Sequence, residues 1–372
     1  AIGYGVQKKS DITGAVASVS SEDLNKIATS TPVQALQGKA AGVSVIMESG
    51  SPDATASIKI RGVGTTNNTD PLYVVDGLPM SDIDYLNSND IESIEILKDA
   101  SACAIYGSRG ANGVVLITTK KGKEGTLDIS FNAYYGMETM LNGPEMLNAR
   151  QYAELSNVAF TNAGGTPPYS NTNPPFDTNW YDEVSRIGTV ENYNLSFTGG
   201  SERINSFLSG NYFTRKGIIK STDFEKLSFI QNSAIKATDF LRIETSVSGT
   251  FTKSSRMDPT SVFLSSLIAP PDIPVMNAET DYFSGIHKLR LTNPAGRIAR
   301  NNSENGSTNL GGNVTANLTL LTGLVFKSGF GVRYLEGRSS GFEPVYYETA
   351  DISTLISTVN RSSSRSTDWT WD

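Results

Sequence analysis

Leu241-Arg242-Ile243-Glu244-Thr245-Ser246-Val247-Ser248-Gly249-Thr250-Phe251-Thr252-Lys253 decides the architecture of most of this chain. From Leu241 to Thr252 its apolar and small residues, with Thr245, fall on odd positions and the other polar residues on even ones. That is the period of a strand with one apolar face. The pattern returns in Leu127, Ile129, Phe131, Ala133, Tyr135 and Met137, again in Leu310, Gly312, Val314, Ala316, Leu318 and Leu320, and again in Leu324, Phe326, Phe330, Val332 and Tyr334. Segments 190–199 and 203–214 obey it less cleanly, and 224–236 requires a bulge to keep its parity.

The connections alternate in length. Short turns fall at Gly199–Arg203, Ala237–Phe240 and Leu320–Gly323. Long connections run over 139–188, 254–307 and 337–360, with a shorter one at 214–223. Short turns at one end and long loops at the other describe a transmembrane β-barrel. A soluble sandwich imitates any single hairpin, but not the fourfold repetition. Tyr135, Tyr193, Tyr212, Phe224, Phe240, Phe251 and Tyr334 lie near strand ends, as interfacial girdles require, although aromatic residues favour strands everywhere.

Composition agrees. Of 372 residues, 19% are charged and 38% hydrophobic, and the formal charge is −7. No run approaches the ~18 apolar residues of a spanning helix, and the charge balance argues against nucleic acid as a partner. The single cysteine, Cys103, excludes an intrachain disulfide and a cysteine-based zinc site, and the single histidine, His287, leaves little for histidine catalysis. No nucleophile–base pair is recognisable, so the chain reads as no enzyme. The first residue is Ala1 and the last lie within a strand pattern, so truncation at both ends is expected.

Residues 1–122 have a different grammar. Short helices begin at Ser20–Leu24 and at Thr31-Pro32, the second with proline at its first position. Strands are expected at Val43–Met47, Ser57–Arg61, Leu72–Val75, Ile91–Leu97 and Gly113–Thr119, with a helix at Ala100–Tyr106 and an Asp76-Gly77 turn. This is a compact α+β domain, followed over 123–372 by antiparallel strands.

Its wording is specific. Pro71-Leu72-Tyr73-Val74-Val75-Asp76-Gly77-Leu78-Pro79 precedes Asp90-Ile91-Glu92-Ser93-Ile94-Glu95-Ile96-Leu97-Lys98-Asp99-Ala100, and then Ala104-Ile105-Tyr106-Gly107-Ser108-Arg109-Gly110-Ala111-Asn112-Gly113-Val114-Val115-Leu116-Ile117-Thr118-Thr119-Lys120-Lys121-Gly122. With Gly3-Tyr4-Gly5 and Ile60-Arg61-Gly62 upstream, this resembles the plug domain of SusC/RagA-type TonB-dependent outer-membrane transporters. Siderophore receptors typically carry Gly-Pro where Asp99-Ala100 stands here. Cys103 departs from the small residue usual in the family, a change that reads as packing.

The resemblance implies an α+β plug seated in a transmembrane barrel of about 22 strands, of which about eight fit into this chain. It implies import of a nutrient, an oligosaccharide or an oligopeptide, across the outer membrane of a Gram-negative bacterium. The partners it implies are TonB, a SusD-like surface lipoprotein and outer-membrane lipid. Gly3, Tyr4 and Gly5 would be the remnant of the TonB-binding segment. Arg61, Glu92, Glu95 and Arg109 would lock plug to wall by ion pairs. A siderophore or cobalamin receptor and a soluble β-rich adhesin are the competing readings.

Other constellations are weaker. The polar loop Thr65, Thr66, Asn67, Asn68 and Asp70 is a candidate floor for a substrate chamber. Loop aromatics Tyr169, Trp180, Tyr181 and Tyr282 are candidates to stack on substrate, and Trp369 and Trp371 belong to a lipid-facing belt. Asp82, Asp84 and Asp90 offer carboxylates to Ca²⁺ but lack EF-hand spacing, which favours a solvated turn; no other cofactor is expected. Gly107–Gly113 lacks the Lys-Ser/Thr ending of a phosphate loop and reads as a tight turn. His287 reads as a surface histidine.

Overall fold

The computed structural model describes residues 16–24, 29, 31–62, 68–99, 103–125, 127–141, 143–255, 257–286 and 290–371. The head contains β1 (Val16–Ser20), β2 (Val43–Met47), β3 (Ala56–Ile60), β4 (Leu72–Val75), β5 (Leu78–Met80), β6 (Ile91–Leu97) and β7 (Val114–Thr119). β1, β6, β7, β4 and β5 bond in that order; β4 and β7 run parallel and the other pairs antiparallel. β2 and β3 form a separate hairpin.

Burial explains this order. β7 reads Val-Val-Leu-Ile-Thr-Thr, and five of its six residues are buried, as a strand covered on both faces demands. Ile91, Ile94, Ile96 and Ile117 pack against Leu24 and Leu36 of the short helical segments and Ile58 of the β2–β3 hairpin. Asp76 and Gly77 both have positive φ, 48° and 92°, the backbone of a tight hairpin turn between β4 and β5. Of the helix expected at Ala100–Tyr106, residues 100–102 lie outside the described residues, and a 3-10 segment runs over Ala104–Gly110, interrupted at Gly107 (φ 60°, ψ −145°). A glycine in that conformation cannot continue a helix.

The wall comprises β8 (Leu127–Glu138), β9 (Gly188–Gly200), β10 (Ile204–Lys216), β11 (Asp223–Lys236), β12 (Leu241–Ser255), β13 (Asn302–Leu321) and β14 (Leu324–Glu343), with the small hairpin β15 (Tyr346–Thr349) and β16 (Ile352–Thr354), and finally β17 (Thr358–Trp371). Eight of these make one antiparallel sheet, each beside its neighbour in sequence, with β8 and β17 at its edges. The sheet is an open arc of a barrel.

Register places Phe131, Leu195, Gly210, Phe229, Gly249, Leu310 and Tyr334 in one row across seven strands on the outward face. Large apolar side chains along this face stay exposed even on interior strands, Leu227 at 53% and Phe326 at 57%. Such a surface needs hydrocarbon against it.

Two expectations are corrected. Asp223–Lys236 pairs with both neighbours without a bulge. The parity of 203–236 looked irregular because Phe207, Phe213 and Ile230 point inward and are buried there. An inward face that meets a packed domain accepts apolar side chains that a water-filled lumen would reject. For the same reason Phe224 is no girdle residue: its ring packs against inward Phe213, centroids 6.1 Å apart. Tyr135, Tyr193, Tyr212, Phe251 and Tyr334 do lie on the outward face, in neighbouring rows.

The long connections carry helices Ala149–Asn162, Trp180–Val184, Pro259–Ile268 and Pro294–Ala299. Asn148 and Gln151 cap the first reciprocally. Val184, Ile219, Met257 and Val262 form one small core among these loops, and Trp180, Ala269 and Ile286 another. Arg300 pairs with the fully buried Glu348 carboxylate at 2.5 Å and lies over the Tyr346 ring, which ties the β15–β16 hairpin to the rest.

Candidate functional site at the seat between head and wall

Head residues 76–90 and 119–121 meet the inward face of the wall through polar side chains. Lys226 of β11 is 2% exposed. Its ammonium donates to the main-chain carbonyls of Asp84 and Leu86, the latter at 2.9 Å. Thr250 of β12 donates to the Tyr85 carbonyl at 2.7 Å. Arg333 of β14 reaches both carboxylate oxygens of Asp82 at 3.2 and 3.3 Å, and its guanidinium lies 5.1 Å from the Tyr85 ring centroid. Asn309 of β13 holds that arginine by accepting from Nε at 3.2 Å.

A second set of contacts holds the end of β7. Asp76, fixed by its hairpin turn, accepts from the Thr119 amide at 3.0 Å and from the Thr119 hydroxyl. Asn232 of β11 donates to that hydroxyl at 2.9 Å and to the Lys120 carbonyl at 2.8 Å. Lys121 pairs with Glu244 of β12 at 3.2 Å. Asp76, Thr119 and Asn232 thus form a continuous chain from head to wall.

Two carboxyls here are held away from their usual range. Asp90 is 4% exposed, and burial pushes it up to about 6 against the opposing pull of a Ser209 hydrogen bond and of Lys120 and Lys226. Burial and the neighbouring Asp82 charge push Asp84 up to about 6, with Lys226 opposing. A cavity of about 230 Å³ lies between the β4–β5 hairpin and the wall, lined by Asp76, Leu78 and Tyr85 on one side and Ser246, Ser248 and Asn313 on the other. The seat combines these exchangeable hydrogen bonds with buried apolar side chains of the inward face, among them Phe207 and Ile230.

The residues singled out from sequence occupy other places. Arg61 pairs with Asp99 inside the head, and both side chains are partly exposed. Glu92 and Arg109 are exposed, Glu95 lies on β6 opposite Ser18 of β1, and the wall contacts described above involve none of the four. Asn68 accepts from the Asp70 amide at 2.8 Å, and Asp70 pairs with Lys59 at 2.8 Å, so both stabilise a local turn. Trp180 is 2% exposed and donates its indole N–H to the Pro270 carbonyl at 2.8 Å. It packs the loop core and presents no stacking face. Tyr181 meets Phe263 edge-on, and Tyr169 donates to Asp272 at 2.6 Å. Tyr282 is 59% exposed.

Asp82, Asp84 and Asp90 each face a protein cation, and among the described residues no group of three or more His, Cys, Asp or Glu is arranged to hold a metal. Gly3, Tyr4, Gly5, Thr65, Thr66, Asn67 and His287 lie outside the described residues. Sequence reading missed Lys226, Asn232, Thr250 and Arg333. Their one signal was parity: each stands on the polar face of a strand where most neighbours are Ser, Thr, Asn or Gly, and a long cation there needs an acceptor.

A family model for the TonB-dependent Receptor Plug Domain matches residues 8–114. TonB-dependent receptor P26 of Formosa agariphila is 37% identical over 313 residues, 82% of this chain and 31% of that protein. TonB-dependent receptor SusC of Bacteroides thetaiotaomicron is 32% identical over 308 residues, 79% of this chain and 30% of its own. The chain thus spans about a third of the length of these curated relatives. The RagAB peptide importer in its "open-open" state superposes with a TM-score of 0.84 at 27% identity, over all of this chain and 46% of that one. The siderophore receptor PirA from Acinetobacter baumannii shares the fold alone, with a TM-score of 0.52 at 18% identity.

Proposed function

Because the chain belongs to the SusC/RagA-type TonB-dependent transporters, we propose that it forms the plug and the adjoining wall of an importer in a Gram-negative outer membrane. The observation that carries this reading is the two-faced wall. One face is apolar and turned outward, and the other is polar and bonded to a folded domain that fills the arc. The cargo is an oligosaccharide, taken up from beneath a SusD-like surface lipoprotein; RagAB, a peptide importer, makes an oligopeptide the second class to test. TonB pairs with the segment around Gly3–Gly5 by strand addition and draws on the proton gradient of the inner membrane. The pull transmitted through the head parts the seat, with no covalent chemistry and no cofactor.

Reversible bonds suit such work. Each neutral hydrogen bond of the seat contributes about 1 kcal/mol net, and those to charged groups about twice that. A chain of them holds the plug at rest and yields in sequence under load. Uptake of labelled oligosaccharides and oligopeptides by cells expressing the full-length protein tests the proposal. Accumulation should stop when TonB is deleted or the proton gradient collapsed. Uptake that survives both treatments would overturn it.

A further inference from the structure

The tip of the β2–β3 hairpin rests on the wall at a turn that also belongs to the long loops. Gly217, just after β10, is buried, and a Cβ there would lie 2.8 Å from the Pro52 ring Cγ and 2.3 Å from Thr222 Oγ1. So close an approach requires glycine at this position. Pro52 is buried in the contact. Behind it the Ala54 amide donates to the Ser51 carbonyl at 3.0 Å, and Gln34 of the helical segment Pro32–Ala35 donates to the Ala54 carbonyl at 3.3 Å. β3 runs from this tip into the head core, where Ala56, Ile58 and Ile60 are buried. The tip is braced from behind, so a displacement there is passed on to β3.

The wall side of the contact is equally stiff. In the turn Gly217–Thr222 the Gly217 amide donates to the Thr222 carbonyl at 2.7 Å, and the Thr222 hydroxyl donates to the Ile219 carbonyl at 2.5 Å. Arg186, just before β9, grips the turn: its Nε donates to the Gly217 carbonyl at 3.0 Å and its amide to the Ile218 carbonyl at 2.7 Å. Lys220 donates its amide to the Val184 carbonyl at 2.9 Å and its ammonium to the Glu183 carbonyl at 2.7 Å, which closes the C-terminal end of the helix Trp180–Val184. Ile219 is 7% exposed and packs with Val184, Met257 and Val262 in the loop core. β9, β10 and β11 lie inside the sheet, away from its edges. One short turn is therefore a member of the loop core on one side and the support of the plug tip on the other.

We propose that the Gly217–Thr222 turn couples the packing of the long loops to the seating of the β2–β3 hairpin, so that each sets the stability of the other. A loop core that loosens at Val184 or Val262 frees Ile219, the turn gives way, and Pro52 loses its support. Linkage makes the effect reciprocal: a hairpin that leaves the wall weakens the loop core by the same factor. In an importer the turn lets loops that rearrange around cargo change the seating of the plug. That use rests on the import reading, whereas the coupling rests on the contacts alone.

Hydrogen exchange followed by mass spectrometry on the full-length transporter reads both sides of the contact. Val262→Ala leaves a cavity in the loop core and should raise exchange over Val43–Ile60 about fivefold, the low end of ordinary coupling. Ile219→Val, a milder cut, should move the same amides in the same direction. Leu264→Ala, on the same helix as Val262 but 54% exposed, should leave them unchanged. Pro52→Ala should loosen Gly217–Thr222 and Trp180–Val184 by about the same factor, and adding Val262→Ala to it should raise hairpin exchange no further. Unchanged hairpin exchange in both core variants, or full additivity in the double variant, overturns the coupling. The expected exchange pattern in a protein that takes up no cargo strikes the import reading and leaves the coupling standing.

Discussion

Lys226 carries the most at the residue scale. Its ammonium is the cation buried deepest in the seat, and two main-chain carbonyls of the plug depend on it. Lys226→Met keeps the volume of the stem and removes the charge. It should destabilise the assembled transporter by about 3 kcal/mol, the range seen when one member of a buried charged set is lost. The measurement is thermal unfolding of the full-length protein, and sensitivity to a large antibiotic should rise in parallel. An unchanged melting temperature would mean that Lys226 only fills space.

Asp84 and Asp90 add a dependence on pH whose sign is fixed. Both are raised to about 6 in the folded protein, against about 3.9 unfolded. Between those values the folded state binds more protons, so stability falls as pH rises through this window. The contribution is complete below about pH 4 and lost above about pH 6. The full-length transporter should therefore lose seat stability from pH 5 to pH 7, and a variant with Asp84→Asn and Asp90→Asn should flatten that slope. Equal slopes in the two proteins would remove these carboxyls from the account.

Elements show why some of this was legible and some was not. Strands facing lipid on one side and water or small polar groups on the other alternate cleanly, so β8, β12, β13 and β14 could be read directly. β10 and β11 could not, because Phe207, Phe213 and Ile230 turn toward the plug and imitate the outer face. The short strands β1 and β5 carried no alternation long enough to register. The ion pairs expected of Arg61 and Arg109 rest on motif alone, and the wall contacts described above involve neither residue. One strand pair gives a sharp test. Gly113 opens β7 at φ 93°, and a Cβ there would lie 2.6 Å from Ile60 Cδ1. Gly113→Ala should cost at least the ~1 kcal/mol of backbone strain, with the Ile60 side chain changing rotamer to make room. On the wall, Phe229→Arg puts a charge into the outward row and should lower assembly of folded barrel by about 2–4 kcal/mol, read as loss of the heat-modifiable band in gels.

At the scale of the whole molecule a folded head sits on the inward face of an open arc of wall, and the proposed import depends on where the two part. The chain Asp76–Thr119–Asn232 ties the end of the last plug strand to the middle of the wall, and a cavity opens beside it between the β4–β5 hairpin and the wall. A plug that leaves or remodels must break the Thr119–Asn232 contact. Thr119→Cys with Asn232→Cys, in a background where the buried Cys103 is replaced by Ser, allows a short bifunctional thiol reagent to fasten the two sides. The fastened full-length transporter should bind cargo as before but import at least tenfold less. The double-cysteine protein before treatment, and each single-cysteine protein after it, should import normally. If the fastened protein imports at the normal rate, cargo passes without separation at this contact, and the opening must lie elsewhere around the plug.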